Sequence, residues 1–313
     1  MTKRRLGRSE LSFEPLVLGT NVLGGTIDEA QSFKVLDAFV GEGLTAIDTA
    51  DIYTHEEPAK QQRGYHRPLA QGARQPRQGA DLHQGRAPTM AAGARDNSAR
   101  WIAEAVEASL RRLQTDHIDL YQTHFPDGKT PQEETLGAYE KLVKEGKVRV
   151  LGASNFTTAL LREALDISSK NGWPRYESVQ NEYNLYDRAQ FEEVQDLCVK
   201  EEVGSIHYFS LARGFVTGKY RSPADAGKSP RGPGVVDRYL NDKGYRILAA
   251  LDAVAARTGA SHSEIALAWL NAQPGTTAPI ASATTVEQVQ ELARGARLTL
   301  PEADVKELTD AGK

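Results

Sequence analysis

Polar side chains that can exchange protons or hold polar ligands follow six short apolar runs of the sequence. They are Asp48 and Tyr53, His124, Ser154 and Asn155, Gln180, Tyr208, and Ser282. Each also has a simpler interpretation, because Asp or Ser at a strand end commonly caps the next helix and a strand Tyr commonly packs in the core. A functional interpretation therefore depends on whether the fold brings these side chains to one place.

The apolar runs are predicted strands that alternate with helices. Seven strands are expected, at 15–19, 45–49, 117–122, 148–153, 178–182, 204–208 and 277–281. Alternating strands and helices predict a parallel sheet, and an eighth strand between residues 54 and 100 would close an α/β fold of the (β/α)₈ TIM-barrel type. The polar side chains would then share the C-terminal face of one barrel domain spanning residues 1–313. An N-terminal β-hairpin is expected over residues 3–13.

Capping boxes predict where several helices begin. The pairs are Thr26 with Glu29, Thr130 with Glu133 across Pro131, and Thr284 with Glu287. Within the first of these helices, Phe33, Leu36, Phe39 and Val40 form an apolar stripe at helical spacing. The third strand and second helix of the barrel stay in doubt, because the sequence between residues 54 and 100 loses this patterning.

Composition excludes several classes of function. The 313 residues carry a net charge of −4 and have a pI near 6.0, which gives no basic surface for nucleic acid or an anionic membrane. No apolar run has the length of a signal peptide or a membrane span, and no metal site is predicted. The single cysteine, Cys198, fits a half-buried free thiol in a reducing cytoplasm.

Seven motifs together resemble the aldo-keto reductase superfamily over residues 3–53 and about 97–310. In chain order they are GTNVLGG, IDTADIY, DLYQTH, LGASNF, VQNEYNL, YFSLARGFVTGKY and PIASATTVEQVQE. The resemblance implies hydride transfer between a nicotinamide dinucleotide, usually NADPH, and the carbonyl group of a small molecule. It also implies that Tyr53 protonates the carbonyl oxygen, that His124 orients it, and that Asp48 holds a lysine against the tyrosine. A cation beside a phenol lowers its pKa from about 10 toward working pH.

The same resemblance assigns a cofactor site. Thr20 and Asn21 would lie beside the nicotinamide, Ser154, Asn155 and Gln180 would bind its carboxamide, and Tyr208 would stack on the ring. Ser210, Leu211, Gly214 and Lys219 fall in the pyrophosphate segment, and Ser282, Thr284, Gln288 and Glu291 at the adenosine end. Many relatives place Lys or Arg near the last group to pair the 2′-phosphate. Ser282, Thr284 and Gln288 depart from that pattern, so the resemblance implies NADPH as the cofactor and leaves NAD open as the alternative.

The lysine that relatives carry at the end of the third strand is missing. The corresponding stretch reads DLHQGRA, with Gln84 nearest to the lysine position, and it follows a run rich in Gln, Arg and Gly. If residues 60–87 are reread one base forward, with free choice among codons, they can spell SNSEVIIGRWLKARGNRDKV, one open position, and then IFTKVG. The reread sequence contains an apolar stripe at helical spacing, a basic loop and a strand that carries the lysine.

A shift of reading frame near Lys60, compensated near Arg86, would explain this stretch, because the sequence from Ala87 onward again resembles the family. The shift would be either a sequencing or cloning fault or a natural change. The alternative is a natural Gln/Arg-rich insertion or flexible loop. With either origin, residues 55–96 are expected to be mobile or irregular, because the stretch has almost no aliphatic residues. Activity of the chain as written is expected to be poor without the lysine.

Two other functions stay open. A dinucleotide-binding barrel with little catalysis would resemble the cofactor-sensing beta subunits of potassium channels. A sugar-processing barrel could use Glu182 as one of two carboxylates, but a partner at a suitable spacing cannot be chosen from the sequence. His117, His207 and His262 are interpreted as structural or surface residues. The sequence assigns neither the substrate nor the oligomeric state.

Overall fold

A computed structural model describes residues 1–50, 53, 81–85 and 96–313, and it describes residues 81–85 by their backbone. An N-terminal hairpin pairs β1 with β2, and eight parallel strands then form a closed barrel. In chain order the strands are β1 (Arg4–Arg5), β2 (Ser12–Phe13), β3 (Val17–Gly19), β4 (Ile47–Ala50), β5 (Asp81–Gly85), β6 (Ile118–Thr123), β7 (Val148–Ser154), β8 (Tyr176–Glu182), β9 (Gly204–Tyr208) and β10 (Thr276–Ala281). The predicted (β/α)₈ barrel with its hairpin is confirmed.

The third barrel strand, which the sequence left in doubt, is β5. It pairs with β4 on one side and β6 on the other, so that Gln84 lies opposite Ala50 and Gln122. Parallel pairing uses main-chain N–H and C=O groups, which every residue except proline can supply whatever its side chain. The expectation of irregular structure over residues 55–96 is therefore wrong for β5. The predicted second helix and the rest of that stretch up to residue 95 lie outside the described residues.

Helices alternate with the strands on the outside of the barrel. They are α1 (Glu29–Gly41), α2 (Ala99–Leu113), α3 (Gln132–Lys144), α4 (Thr158–Asn171), α5 (Ala189–Glu201), α6 (Gly232–Tyr239), α7 (Asp242–Thr258), α8 (His262–Asn271), α9 (Val286–Arg297) and α10 (Glu302–Ala311). Two 3₁₀ segments, Ala212–Thr217 and Pro223–Lys228, follow β9. None of the helices in the described ranges is long and apolar enough to cross a membrane.

The predicted capping boxes are wrong in detail. α1 is capped by Asp28, whose side chain accepts from the N–H of Gln31 at 2.9 Å. α3 has no side-chain cap, because its N-cap residue is Pro131, and the Thr130 hydroxyl donates to Asp127 at 2.6 Å. α9 is capped by Thr285, one residue later than predicted. Helix starts shift by a residue or two when a neighbouring side chain offers a better hydrogen-bond partner.

The hairpin seals the N-terminal end of the barrel. Leu6 and Phe13 are fully buried and pack in the same cluster as Val17, Leu120 and Ile206 from inside the barrel. Burial of this apolar surface against the barrel floor stabilises the closed end. The C-terminal ends of the strands are then the face where ligand sites of this architecture form.

Candidate active site

Asp48 lies in the wall of the barrel at β4, with 2% of its surface exposed. Its backbone carbonyl accepts from both the N–H and the hydroxyl of Thr20, at 3.1 and 3.0 Å. Its carboxylate Oδ1 accepts from the side-chain Nε2 of Gln180 at 3.1 Å. The predicted residues of β3, β4 and β8 are therefore joined directly around Asp48.

Tyr53 follows β4, and its N–H donates to the carbonyl of Ala50 at 3.1 Å. Burial raises the pKa of the Tyr53 hydroxyl well above its usual value of 10.0, and the negative charge of Asp48 raises that pKa further. The phenol is thus held in its protonated form and can donate a proton. A carboxylate neighbour opposes formation of the phenolate, which makes the phenol a weaker acid than one beside a cation.

His124 is buried just past the end of β6, where its ring stacks on Phe125 with centroids 4.5 Å apart. Its backbone carbonyl accepts from the side-chain Nδ2 of Asn155 at 2.9 Å. The stack and this hydrogen bond hold His124 against the end of β7. The predicted catalytic and carboxamide-binding residues therefore meet at this point.

The residues predicted to bind the carboxamide and to stack on the nicotinamide form a hydrogen-bonded chain across β7, β8 and β9. Ser154 Oγ and the N–H of Asn155 donate to the carbonyl of Gln180, at 2.8 and 3.1 Å. The Tyr208 hydroxyl donates to Asn155 Oδ1 at 2.8 Å. Burial and the charge of Glu182 raise the pKa of Tyr208 to about 12, so this hydroxyl remains a donor at neutral pH. The hydrogen-bonded chain continues through Gln180 to Asp48.

The strand ends on the other side of the barrel bring together Asn21 and Ser282. Ser282 Oγ donates to Asn21 Oδ1 at 2.7 Å, which joins the loops after β3 and β10. These loops are adjacent because β10 pairs with β3 and closes the barrel. A polar pair at this seam can orient a ligand that lies across it.

The segment after β9 has an unusual backbone. Ala212, Arg213 and Gly214 have positive φ angles of 46°, 57° and 93°. Backbone in the left-handed region can form concave arrays of N–H groups that bind anions. The Lys219 side chain crosses close to Gly214, where a Cβ would lie 3.4 Å from the Lys219 Nζ. Here the N–H groups of Ala212 and Gly214 already donate to the carbonyls of Phe209 and Leu211, at 2.7 and 2.8 Å, so an anion at this segment would be held mainly by a cationic side chain such as that of Lys219.

Two other predicted members of this segment have structural contacts. Ser210 Oγ donates to the carbonyl of His207 at 2.8 Å, which fixes the turn after β9. Leu211 is half-buried and packs against two of the apolar clusters. Both residues therefore shape the segment, whose cationic side chains are Arg213 and Lys219.

The adenosine-end residues do not form one cluster. The N–H and hydroxyl of Thr284 donate to Gln288 Oε1, at 2.7 and 3.0 Å. Glu291 instead accepts from the hydroxyl of Ser261 at 2.6 Å, which ties α9 to the start of α8. Arg294, also on α9, pairs with Glu264 at 2.5 Å. Neutral groups therefore dominate the surface that Thr284 and Gln288 present.

Comparison with known proteins identifies this architecture. The family model described as the aldo/keto reductase family matches residues 15–313. The chain belongs to the aldo/keto reductase family. It is 30% identical over 312 residues to an uncharacterized oxidoreductase, YrpG, of Bacillus subtilis, covering 97% of this chain and 94% of that protein.

Two further relatives have similar coverage. Versiconal hemiacetal acetate reductase of Aspergillus parasiticus is 28% identical over 338 residues, covering 99% of this chain and 96% of that protein. The aldo-keto reductase YhdN of Bacillus subtilis is 31% identical over 307 residues, covering 93% and 87%. The chain is accordingly an oxidoreductase of the aldo/keto reductase family, whose members act on small carbonyl compounds.

His207 and His262, two histidines of the described residues outside the site of this aldo/keto reductase, have structural contacts. His207 is fully buried in β9, where its Nε2 lies 3.1 Å from Ser205 Oγ and 3.0 Å from Thr276 Oγ1. Burial lowers the pKa of His207 to about 3 from its usual 6.5, so the ring is neutral. His262 Nε2 lies 3.0 Å from a carboxylate oxygen of Asp252. These contacts agree with the sequence interpretation.

One polar residue of this aldo/keto reductase was missed by sequence reasoning. Gln190 lies in the first turn of α5, and its side chain is hydrogen bonded to both Asn155 and Tyr208. A glutamine near the start of a helix is typical of a solvated surface, and it stands eight residues beyond the end of β8. No local pattern in the sequence distinguishes it.

Proposed function

We propose that this chain reduces the carbonyl group of an aldehyde or ketone to an alcohol with NADPH, with Tyr53, Asp48 and His124 at the reacting centre. The observation that carries the proposal is the hydrogen-bonded chain from Asp48 through Gln180 to Asn155 and on to Tyr208. It joins the proposed acid–base centre to the residues proposed for the nicotinamide end. A hydrogen-bonded chain of this kind fixes the position of the acid–base centre relative to the nicotinamide end.

The residues present fit the cofactor. Ser154, Asn155 and Gln180 would hold the carboxamide, Tyr208 would lie against the ring, and Lys219 would pair with the pyrophosphate. When bound, the cofactor supplies the hydride. Thr20, Asn21 and Ser282 would line the same mouth from the β3 side, and Ser210, Leu211 and Gly214 would shape the phosphate loop. Thr284, Gln288 and Glu291 would lie at the adenosine end.

The proton is supplied by Tyr53. Its hydroxyl would donate to the carbonyl oxygen as negative charge develops there, and His124 would orient that oxygen by a hydrogen bond. Tyr53 is held protonated by burial, so it is available as a donor. The phenolate left behind would form beside the Asp48 carboxylate, which raises the free energy of the product state.

We propose that activity is impaired because Gln84 stands nearest to the position where relatives carry the lysine. The register of β5 puts Gln84 next to Ala50 of β4, two residues beyond Asp48. A neutral amide at this position cannot offset the charge of Asp48 as an ammonium group can. We attribute the substitution to a compensated frame shift over residues 60–86, and sequencing of the coding DNA tests that attribution directly.

A dinucleotide-binding barrel with little catalysis is the second candidate. It is favoured by the same two observations, Gln84 in β5 and the raised pKa of Tyr53. Both candidates retain the residues proposed for the cofactor. Cys198, buried and unpaired, supports a reducing compartment such as the cytoplasm for either one.

Binding and turnover measurements separate the candidates. Quenching of protein fluorescence by NADPH reports binding, and loss of NADPH absorbance with 4-nitrobenzaldehyde reports reduction. Binding together with slow aldehyde-dependent oxidation supports the reductase. Binding without any such oxidation supports the second candidate, and a folded sample that binds neither NADPH nor NADH contradicts both.

A further inference from the structure

Gln190 joins residues from three elements at a single side-chain amide. Its Nε2 donates to Asn155 Oδ1 at 3.0 Å. Its Oε1 accepts from the N–H of Glu182 at 2.9 Å, and it shares the single proton of the Tyr208 hydroxyl, 3.0 Å away, with Asn155 Oδ1. Both ends of the amide are therefore used, and they reach the ends of β7, β8 and β9.

The contacts form a closed triangle of side chains. The Tyr208 hydroxyl also lies 2.8 Å from Asn155 Oδ1, so Asn155, Tyr208 and Gln190 are each within hydrogen-bond distance of the other two. Two donors converge on Asn155 Oδ1, which turns its Nδ2 toward the carbonyl of His124 at 2.9 Å. The orientation of the Asn155 amide is therefore fixed by Gln190 and Tyr208 together.

Asn155 needs such support because of its backbone. Its φ angle is 60°, in the left-handed region that residues with a Cβ adopt at a cost in free energy. Asparagine tolerates this region better than most residues, but its side chain must still be held if it is to present one face to a ligand. The hydrogen bond from Gln190 supplies part of that restraint.

Gln190 is itself anchored to the barrel. Its backbone carbonyl accepts from the Nδ2 of Asn181 at 3.1 Å, and the same Nδ2 donates to the carbonyl of Phe156 at 3.0 Å. Asn181 is fully buried in β8. The first turn of α5 is therefore tied to the sheet, and the Gln190 side chain projects from a fixed backbone.

We propose that Gln190 is a positioning residue for the nicotinamide end of the cofactor, acting through Tyr208 and Asn155. The inference rests on the proposed function, because it requires those two residues to contact the nicotinamide and its carboxamide. Gln190 fixes the hydroxyl end of the Tyr208 ring and the rotamer of the Asn155 amide. Cofactor affinity then depends on Gln190 although the residue does not itself contact the reacting atoms.

Gln190→Leu is the main test, since leucine occupies a similar volume and makes none of the three hydrogen bonds. Dissociation constants are measured for NADPH and for 2′,5′-ADP, which carries the adenosine end without the nicotinamide. We expect NADPH to bind about 5- to 10-fold more weakly, from hydrogen bonds worth about 1 kcal/mol each, and 2′,5′-ADP to change less than about twofold. Gln195→Leu, on the same helix but bonded to Pro274, is the matched control and leaves both constants unchanged.

A double-mutant cycle with Tyr208→Phe distinguishes positioning from a general structural role. Gln190→Leu should weaken NADPH binding less in the Tyr208→Phe background than in the parent, because the hydroxyl that Gln190 holds is already absent and only the hydrogen bond to Asn155 remains to be lost. Gln190→Glu keeps the acceptor for Tyr208 and loses the donor to Asn155, so an intermediate loss is expected even if the leucine variant folds poorly. Equal losses for NADPH and 2′,5′-ADP, or fully additive effects, overturn the proposal. A wild-type chain that binds neither NADPH nor NADH overturns the proposed function instead.

Discussion

The side-chain amide of Gln180 donates to the Asp48 carboxylate at 3.1 Å, between two residues 132 positions apart in the sequence. β4 and β8 are separated by three strands in the barrel order, so this bond crosses the barrel mouth. It gives Asp48 a neutral partner that leaves its negative charge in place. The charge of Asp48 therefore acts on Tyr53 without an ammonium group at position 84.

Asp48→Asn should affect the present chain and a frame-corrected chain differently. In the present chain the substitution removes a charge that raises the pKa of Tyr53 and keeps an acceptor for Gln180, so turnover should change by less than about threefold. In a chain with the frame of residues 60–87 restored, the lysine loses its counter-ion, and we expect a loss of about 10²-fold. Steady-state kcat in both backgrounds checks this. A loss of about 10²-fold in the present chain would contradict the assignment.

Tyr53→Phe should remove the residual carbonyl reduction while leaving cofactor binding intact. The hydroxyl is the proposed proton donor, and general acid catalysis contributes about 10²- to 10⁴-fold. Single-turnover reduction of 4-nitrobenzaldehyde by bound NADPH measures the step. Tyr245→Phe, which alters an exposed tyrosine on α7, is the control and should retain the parental rate. Turnover that survives Tyr53→Phe would assign the proton to another donor.

Gln84→Lys alone should recover little activity, whereas restoring the frame of residues 60–87 should raise kcat by about 10²- to 10⁴-fold. A lysine must be aimed by packed neighbours before it can lower the pKa of a phenol, and the surrounding sequence still lacks strand patterning. Parallel kcat measurements on the three chains test this. Full recovery by the single substitution would show that the lysine is sufficient without its neighbours.

Thr284→Arg should increase the preference for NADPH over NADH. Thr284 and Gln288 bond to each other and present neutral groups, so a 2′-phosphate gains no ion pair from them. An added guanidinium can form charge-assisted hydrogen bonds worth about 1.5–3 kcal/mol, which corresponds to at least about tenfold in affinity. The ratio of the two dissociation constants is the measurement, with NADH as the internal control. An unchanged ratio would place the 2′-phosphate elsewhere.

His207 should make the fold less stable as the pH falls below 6.5. Its pKa is about 3 in the folded chain and near 6.5 when unfolded, so between these values the unfolded state binds the extra proton. Above pH 6.5 this histidine therefore does not lower the free energy of unfolding. As the pH drops toward 3, the free energy of unfolding falls by up to ~1.4 kcal/mol per pH unit. Urea unfolding across this window, compared with His207→Gln, isolates the contribution. If the two slopes are equal, His207 is not the group responsible.

Strand positions were predictable where apolar runs are bounded by turn residues. The prediction of 204–208 matches β9, because Gly204 begins a buried run that ends before a turn. β8 begins at Tyr176, two residues before its predicted start. Tyr176 is fully buried with its hydroxyl 2.7 Å from Thr123 Oγ1, a partner in another strand that local patterning cannot reveal. A strand boundary that depends on such a distant contact cannot be predicted from the local sequence pattern.

The residues of the candidate site that lie at strand ends were predictable from the sequence. The hydrogen bonds that join their side chains were not. Asp48, Asn155 and Gln180 were predicted because parallel strands bring their C-terminal ends to one face. The bond from Gln180 to Asp48 and the contacts of Gln190 depend on how strands are ordered around the barrel. These are properties of the closed structure rather than of any segment of the sequence.

β5 joins the barrel through its backbone, in register with both neighbours, although its sequence is DLHQG. Pairing of this kind uses main-chain groups and does not depend on which side chains the strand carries. A reacting centre, in contrast, depends on particular side chains. A gene that changed reading frame over such a strand could lose its chemistry in one event while its product continued to fold. Selection could then act on that product for ligand storage or sensing, so architecture of this type can outlast the reaction for which it evolved.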